Sequence, residues 1–278
     1  MTVLEVLQST TKYLTKRGIE SPRLNAEHLL AHALDRKRIQ LYLEFERPLT
    51  EKELNPLREL VLRRGQGEPL QHLLGTVEFA GHVFLCDKRA LIPRPETEEL
   101  IGRVIEAINN PPSKILDVGT GSGVIALTLA SHFPEAEVSA LDISDDALEL
   151  ARENATRLGL QDRVRFGKGH LLTEVKGAFD LIIANLPYVA KGDAPQLPIE
   201  VQHDPGIALF SGDRGDELVG ELIAEARNYL SPGGMLALEV GIGQTDSLAL
   251  LLAEKNYHDI VVISDYCAVK RFLFGRYG

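Results

Sequence analysis

Tryptophan is missing altogether from this chain of 278 residues, and cysteine and methionine occur only twice each. Two cysteines as isolated as Cys86 and Cys267 supply neither a disulfide framework nor a four-ligand zinc site, so both are expected to be buried, reduced thiols and no metal is expected. No apolar run approaches the roughly 18 residues that a helical membrane span needs. The opening residues Met1 to Glu5 lack a basic segment leading into an apolar stretch, which leaves the cytoplasm as the expected compartment. Internal repeats and low-complexity tracts are lacking too, and so is a basic stripe with interleaved aromatics. The formal charge is −10: residues 1–90 hold 14 Lys and Arg against 12 Asp and Glu, and residues 91–278 hold 16 against 28. A segment that acidic repels a phosphate backbone and disfavours nucleic acid as the direct substrate, although a local basic patch can survive within an acidic total. A monomer working away from membranes is expected.

What is present describes an ordinary globular protein, 44% hydrophobic and 25% charged, with mean hydropathy −0.04. The first 75 or so residues read as helical. Apolar residues recur at helical spacing in Val3, Leu4 and Leu7, and again from Leu24 through Ala26, Leu29, Leu30, Ala33 and Leu34. Ser21-Pro22 is a start signal for the second helix, with serine as N-cap. Thr50 and Glu53 form a capping-box pattern opening a helix that Gly67-Glu68-Pro69 closes. Residues 77–85 alternate like strands around a central Ala80-Gly81-His82, which predicts a hairpin.

From about residue 93 strands and helices alternate. Strands are expected at 114–118, 137–141, 164–167, 181–184, 235–240, 259–262 and 271–275, with helices at 96–108, 124–131, 145–158, 215–230 and 243–255. Near-continuous apolar strands separated by helices predict an α/β fold with a parallel sheet covered on both faces. The last two strands are too close in sequence for a crossover helix and are expected to pair antiparallel. The expected division is a helical domain over 1–75, a hairpin linker over 76–93 and the α/β domain over 94–278.

Two stretches carry the chemistry. The run Asp117-Val118-Gly119-Thr120-Gly121-Ser122-Gly123 joins a strand to a helix, and its glycines let the backbone approach a ligand, with amides expected to point outward. A second strand ends some twenty residues on at Asp142, placed to accept hydrogen bonds from the ribose hydroxyls of a nucleoside cofactor. A plain tight turn and a solvated strand-end acid are the bland alternatives. A dinucleotide site spaces its glycines Gly-x-Gly-x-x-Gly, so NAD is the second choice of cofactor here. The spacing with Asp117 ahead of it resembles the first motif of class I methyltransferases.

The second stretch is Asn185-Leu186-Pro187-Tyr188, a polar, proline and aromatic turn at the end of the fourth predicted parallel strand. A planar amide or aryl amine is a poor nucleophile because its nitrogen lone pair is delocalised. A site acting on one must hold the NH2 by its hydrogens. The Asn185 side-chain oxygen and the Leu186 carbonyl can each accept one of them, Pro187 biases Leu186 towards extended geometry, and Tyr188 offers a flat wall. An ordinary strand-end turn uses the same residue types.

These residues resemble the Asn-Pro-Pro-Tyr motif of methyltransferases of planar nitrogens, and the whole chain resembles the HemK/PrmC family. Gly67-Glu68-Pro69-Leu70-Gln71-His72-Leu73-Leu74-Gly75 and Leu91-Ile92-Pro93-Arg94-Pro95-Glu96-Thr97-Glu98 look like that family's linker signatures, and Ala208 to Gly212 and the closing Gly275-Arg276-Tyr277 fit as well. The resemblance implies a class I, Rossmann-like methyltransferase with a seven-stranded sheet and a small N-terminal helical domain that recognises the substrate. It implies transfer from S-adenosylmethionine to the glutamine amide of the Gly-Gly-Gln loop in peptide chain release factors. Cofactor binding would fall to Gly119, Thr120, Gly121, Ser122, Gly123, Asp142, His170, Leu171 and Asn185, and the glutamine amide to Asn185, Leu186, Pro187 and Tyr188. The chain departs from the family at Leu186, usually a proline, and at His170, usually an aspartate. Three alternatives stay open: a ribosomal-protein glutamine as substrate, a nucleic-acid base amine, or a cofactor-binding protein that has lost turnover.

Elsewhere, His28 and His32 are spaced like ligands, but the sequence offers no evident third metal ligand, and packing or surface roles are expected. Arg94 and Glu98 suit a salt bridge or cap as well as a pocket.

Overall fold

Alternate residues of the central strands pack into two separate apolar cores, and that alternation makes the larger half of the chain a three-layer sandwich. Ile115, Leu181, Ile183, Met235, Ala237, Phe272 and Phe274 belong to one core, while Leu116, Val118, Ile182, Ala184, Leu236, Leu238 and Leu273 belong to the other. The computed structural model describes residues 1–173 and 175–278. Contacts divide them into two units, Met1–Thr76 with Pro198–His203, and Val77–Leu197 with Asp204–Gly278.

The first unit is helical: α1 (Val3–Lys16), α2 (Pro22–Ala33), α3 (Arg38–Leu43), α4 (Glu51–Gly65) and α5 (Leu70–Leu74). Thr2 and Glu5 close a capping box on α1, and the Glu53 carboxylate accepts from the Thr50 backbone N–H at 2.8 Å to start α4. Ser21 occupies the N-cap of α2 in the left-handed region at φ 47°, and its side chain makes no cap bond, contrary to the expectation from its type. Leu7, Leu14, Leu29, Leu30, Leu41 and Leu57 form the core, whereas Leu24 and Leu62 are exposed. The short helices α3 and α5 escape a periodicity argument because neither spans two turns. Residues 198–203 join this unit through the Arg64–Glu200 ion pair and through Ile199, whose Cγ2 lies 2.9 Å from where a Cβ on Gly67 would stand.

The second unit opens at Val77 inside a hairpin, β1 (Thr76–Phe79) and β2 (His82–Leu85), turned by Ala80 and Gly81 at φ 48° and 76°, the signature of a two-residue primed turn. Phe79 and Phe84 sit in the sheet's core and Asn154 Oδ1 accepts from the Leu85 N–H at 2.6 Å, which ties the hairpin to the α/β unit. There follow α6 (Pro95–Ala107), β3 (Lys114–Val118), α7 (Val124–His132), β4 (Glu137–Asp142), α8 (Asp145–Leu158), β5 (Val164–Lys168), β6 (Phe179–Asn185), α9 (Glu217–Ala226), β7 (Leu230–Glu239), α10 (Thr245–Glu254), β8 (Tyr257–Ser264) and β9 (Lys270–Tyr277). The seven-stranded sheet has the order β5-β4-β3-β6-β7-β9-β8. Strands β3 to β7 pair in parallel, and β9 runs antiparallel to both β7 and β8.

Strand β7 starts earlier than its apolar run suggests. Leu230 pairs with Phe179 and Met235 with Leu181, so Ser231 to Gly234 are accommodated at an irregularity in the ladder. Cys86 is buried, as expected, but Cys267 is exposed, because it lies in the turn between β8 and β9. Among the described residues no helix is long and apolar enough to cross a membrane.

Candidate active site

The sheet's winding direction reverses between β3 and β6, and in open α/β sheets ligands bind beyond the carboxyl ends of the strands at such a switch point. A cavity of about 210 Å³ lies there. It is lined by Gly119, Thr120, Gly121 and Ser122 after β3, by Asp142 at the end of β4, by His170 and Leu171 after β5, and by Asn185, Leu186 and Pro187 after β6. Of the residues expected from the sequence, Gly123 and Tyr188 are not among those lining it. Gly123 ends the loop as the N-cap of α7 at φ 85°, and an added Cβ there would press on Ala151 and Leu127 at 3.1 Å. Tyr188 is tied by its backbone carbonyl, which accepts from Gln244 Nε2 at 3.1 Å, and burial pushes its phenol up to about 12.

The glycine loop differs from its sequence reading in one respect. Its amides turn inward. Gly119 and Thr120 donate to the Leu141 carbonyl at 2.9 and 2.8 Å, Gly121 donates to Asp142 Oδ2 at 2.8 Å, and Gly123 donates to the Thr120 carbonyl at 2.9 Å. A pyrophosphate cradle needs such N–H groups free to face the ligand. This loop offers instead a smooth backbone surface along the cavity: at Gly121, φ 55°, an added Cβ would meet nothing nearer than Ala90 at 3.9 Å among the described residues. A cofactor with a nucleoside and no phosphate fits that surface better than NAD does.

Asp142 presents a carboxylate whose two oxygens are aimed by backbone donors, Gly121 N–H on Oδ2 and Ser144 N–H at 2.9 Å on Oδ1. Burial raises its pKa, and the backbone hydrogen bonds pull it back. A carboxylate oxygen bonded once still has a lone pair for a ribose hydroxyl. Under the loop, Asp117 is fully buried, accepts from Thr120 Oγ1 at 2.6 Å and Ala126 N–H at 3.2 Å, and is pushed up to about 7 by desolvation. His170 is half exposed with Nδ1 4.0 Å from Glu221 Oε1, and Leu171 beside it holds a left-handed φ of 49°. The departure at position 186 is absorbed by packing. Leu186 is buried, with its Cδ2 2.8 Å from where a Gly119 Cβ would lie.

Asn185 ends β6 in register with Glu239 of β7. Its Nδ2 donates to Thr97 Oγ1 at 2.9 Å, and the Thr97 hydroxyl donates to Glu239 Oε2 at 2.7 Å. Burial pushes Glu239 up to about 7, against the pull of hydrogen bonds from Thr97 and Asn185. Thr97 lines the cavity together with Arg94, whose guanidinium donates to the buried Asp204 carboxylate at 2.6 Å. Arg94 therefore serves as both ion-pair member and pocket wall, while Glu98 does not line the cavity. Arg94 was expected as either a pocket residue or an ion-pair member, whereas Thr97, Ile143 and Phe210 were not read as pocket residues from their types. The sequence signal for Thr97 was the motif over 91–98 that it shares with Arg94.

An apolar-walled cavity at the switch point of a seven-stranded Rossmann-like sheet, with a strand-end carboxylate and, among the described residues, no phosphate cradle, is what a class I methyltransferase builds, and residues 109–260 match a family model described as a methyltransferase domain. Residues 5–75 match the PrmC N-terminal domain. The chain belongs to the release factor glutamine methyltransferases. It is 39% identical to that enzyme of Chlorobaculum tepidum over 98% of this chain and 96% of the relative. The Deinococcus radiodurans enzyme of the same name is 40% identical over 99% of both chains. A crystal structure of a methyltransferase from Pyrococcus furiosus, 22% identical, covers 70% of this chain and 88% of its own with a TM-score of 0.53, a likeness of fold.

Proposed function

We propose that this protein methylates the side-chain amide nitrogen of the glutamine in the Gly-Gly-Gln motif of peptide chain release factors. The observation that carries the proposal is the juxtaposition, in one cavity, of the inward-turned glycine loop, the Asp142 carboxylate and the Asn185 to Pro187 turn. S-adenosylmethionine supplies an electrophilic sulfonium methyl group when bound. Gly119, Thr120, Gly121 and Ser122 would form the floor for it, with Gly123 turning the loop into α7 behind them, Asp142 would accept from its ribose, and His170, Leu171 and Asn185 would border it. The Asn185 side-chain oxygen and the Leu186 carbonyl each accept one N–H of the glutamine amide, which leaves the nitrogen facing the cofactor side of the cavity. Pro187 and Tyr188 stiffen that turn. Holding the reacting nitrogen in line replaces a chance encounter with a fixed one, and this is the main contribution such a site makes. The nitrogen's proton leaves to solvent once it has been alkylated, so a dedicated general base is optional.

The helical unit recognises the release factor, and the chain works as a cytoplasmic monomer on protein, not on nucleic acid or membrane. The acidic balance of residues 91–278 supports the exclusion of nucleic acid. Incubation with labelled S-adenosylmethionine and a purified release factor, followed by peptide mapping, tests the proposal. Label confined to the Gly-Gly-Gln peptide is expected. Label appearing only on ribosomal protein or RNA in parallel incubations would overturn the substrate assignment, and bound cofactor with no label anywhere would mark a chain that has lost turnover.

A further inference from the structure

The amide of Asn185 has two ends, and only one of them serves the proposed reaction. If its NH2 faced the cavity, it would confront the NH2 of the glutamine, donor against donor. An isolated asparagine has no intrinsic preference between the two orientations, so something must choose.

A chain of hydrogen bonds chooses it. Thr97 has a single hydroxyl hydrogen, and that hydrogen is given to Glu239 Oε2 at 2.7 Å. An ionised carboxylate can only accept, so Thr97 Oγ1 is left able only to accept from its other neighbour. That neighbour is Asn185 at 2.9 Å, and an atom that meets an acceptor there must be its Nδ2. Asn185 also helps to pull the Glu239 carboxyl down, which is the effect of an NH2, not an oxygen, on the inner side. Thr97 and Glu239 are 4% and 1% exposed, which denies water the chance to satisfy the reverse arrangement. Asn185 itself lines the cavity, and its Oδ1 is the end that remains for it.

We infer that Thr97 and Glu239 are positioning residues that lock the Asn185 carboxamide with its oxygen towards the substrate amide. This rests on the proposed role of Asn185 but goes beyond it, because neither Thr97 nor Glu239 belongs to the turn that grips the glutamine. The lock depends on Glu239 being ionised. A protonated Glu239 could donate to Thr97 Oγ1, which frees the Thr97 hydrogen to support the opposite orientation. The charged and titratable groups around Glu239 are Glu96 on α6, which favours its protonation, Arg271 on β9, which opposes it, and Tyr188 after β6.

Two measurements test the inference, and the first needs neither cofactor nor release factor. In the 15N-labelled protein, the Asn185 side-chain NH2 resonances, identified by their loss in Asn185→Asp, are expected to be protected from solvent exchange and to shift as Glu239 titrates. Thr97→Val, which keeps the shape and deletes the hydroxyl, is expected to lower that protection and Thr97→Ser to retain it. In the second measurement Thr97→Val is expected to lower kcat by about 10²-fold, the scale of a reacting group misplaced by an ångström. S-adenosylmethionine affinity should stay within about threefold, and Thr97→Ser should recover most of the rate. An Asn185 NH2 that exchanges freely in the wild-type protein and ignores Thr97→Val would overturn the inference, even if methylation of the release factor proceeds. So would a Thr97→Ser protein as slow as Thr97→Val. A wild-type protein that methylates no release factor, yet shows the protected NH2, would sink the substrate assignment and leave the lock standing.

Discussion

Leu186 Cδ2 occupies the space that a side chain on Gly119 would need, 2.8 Å from the ideal Cβ position, so the ends of β3 and β6 fit together only because residue 119 is glycine. Gly119→Ala must push Leu186 aside and hold an alanine at φ 75°. Overpacking costs about 1–3 kcal/mol and the left-handed backbone roughly 1–2 more. The variant is expected to lose stability of that order in denaturant unfolding and to bind S-adenosylmethionine more weakly. Leu186→Ala, which leaves a cavity in the wild type, should cost less in the Gly119→Ala background, since there it also removes the clash, though not the backbone strain. A double variant whose loss equals the sum of the two single losses would show that the two residues do not share this space.

Asp142 is the acid that both fixes the glycine loop and faces the cavity. In Asp142→Asn one oxygen becomes an NH2 that opposes either the Gly121 or the Ser144 N–H. Leaving such a buried donor unsatisfied costs about 1–3 kcal/mol. Calorimetry should show S-adenosylmethionine bound about 10- to 100-fold more weakly. Unchanged affinity would remove Asp142 from the cofactor site.

Asp117 gives the ligand-free protein a pH dependence of known sign. Its pKa is raised by burial from 3.8 to about 7 in the folded chain. A carboxyl whose folded value lies above its unfolded one contributes stability that is fully present below the unfolded value and is lost as pH rises through the folded one. Between about pH 4 and pH 7 the wild type should therefore lose stability relative to Asp117→Asn, which has no proton to release there. Glu239, pushed up to about 7 for the same reason, acts in the same direction in both proteins. Stability curves for the two proteins that run parallel across this range would contradict the assignment.

Much of this architecture was legible in the sequence because it is local. The strands ending at Val118 and Asp142, the loop between Gly119 and Gly123 and the Ala80-Gly81 turn each follow from neighbouring residue types and apolar alternation. What could not be read is set by partners distant in the chain. Thr97 lies 88 residues from Asn185 and Glu239 a further step of 142 residues from Thr97, so the sequence offered only a threonine in a linker motif and a glutamate at a strand end. The inward turn of the loop amides was missed for the same reason. It depends on the Leu141 carbonyl and the Asp142 carboxylate of the adjoining strand, which local spacing does not reveal. The early start of β7 was hidden by Ser231-Pro232-Gly233-Gly234, whose composition reads as a turn and which the sheet absorbs as an irregularity.

The claim on which the proposed chemistry stands is that Asn185 grips the glutamine amide and aims its nitrogen. Single-turnover methyl transfer to a purified release factor by Asn185→Ala, with cofactor binding measured on the same protein, tests it most directly. The expected result is transfer slowed by about 10²- to 10³-fold, the loss seen when one preorganised hydrogen-bonding group is deleted from an active site, with S-adenosylmethionine affinity changed only a few fold. Transfer at the wild-type rate would contradict it.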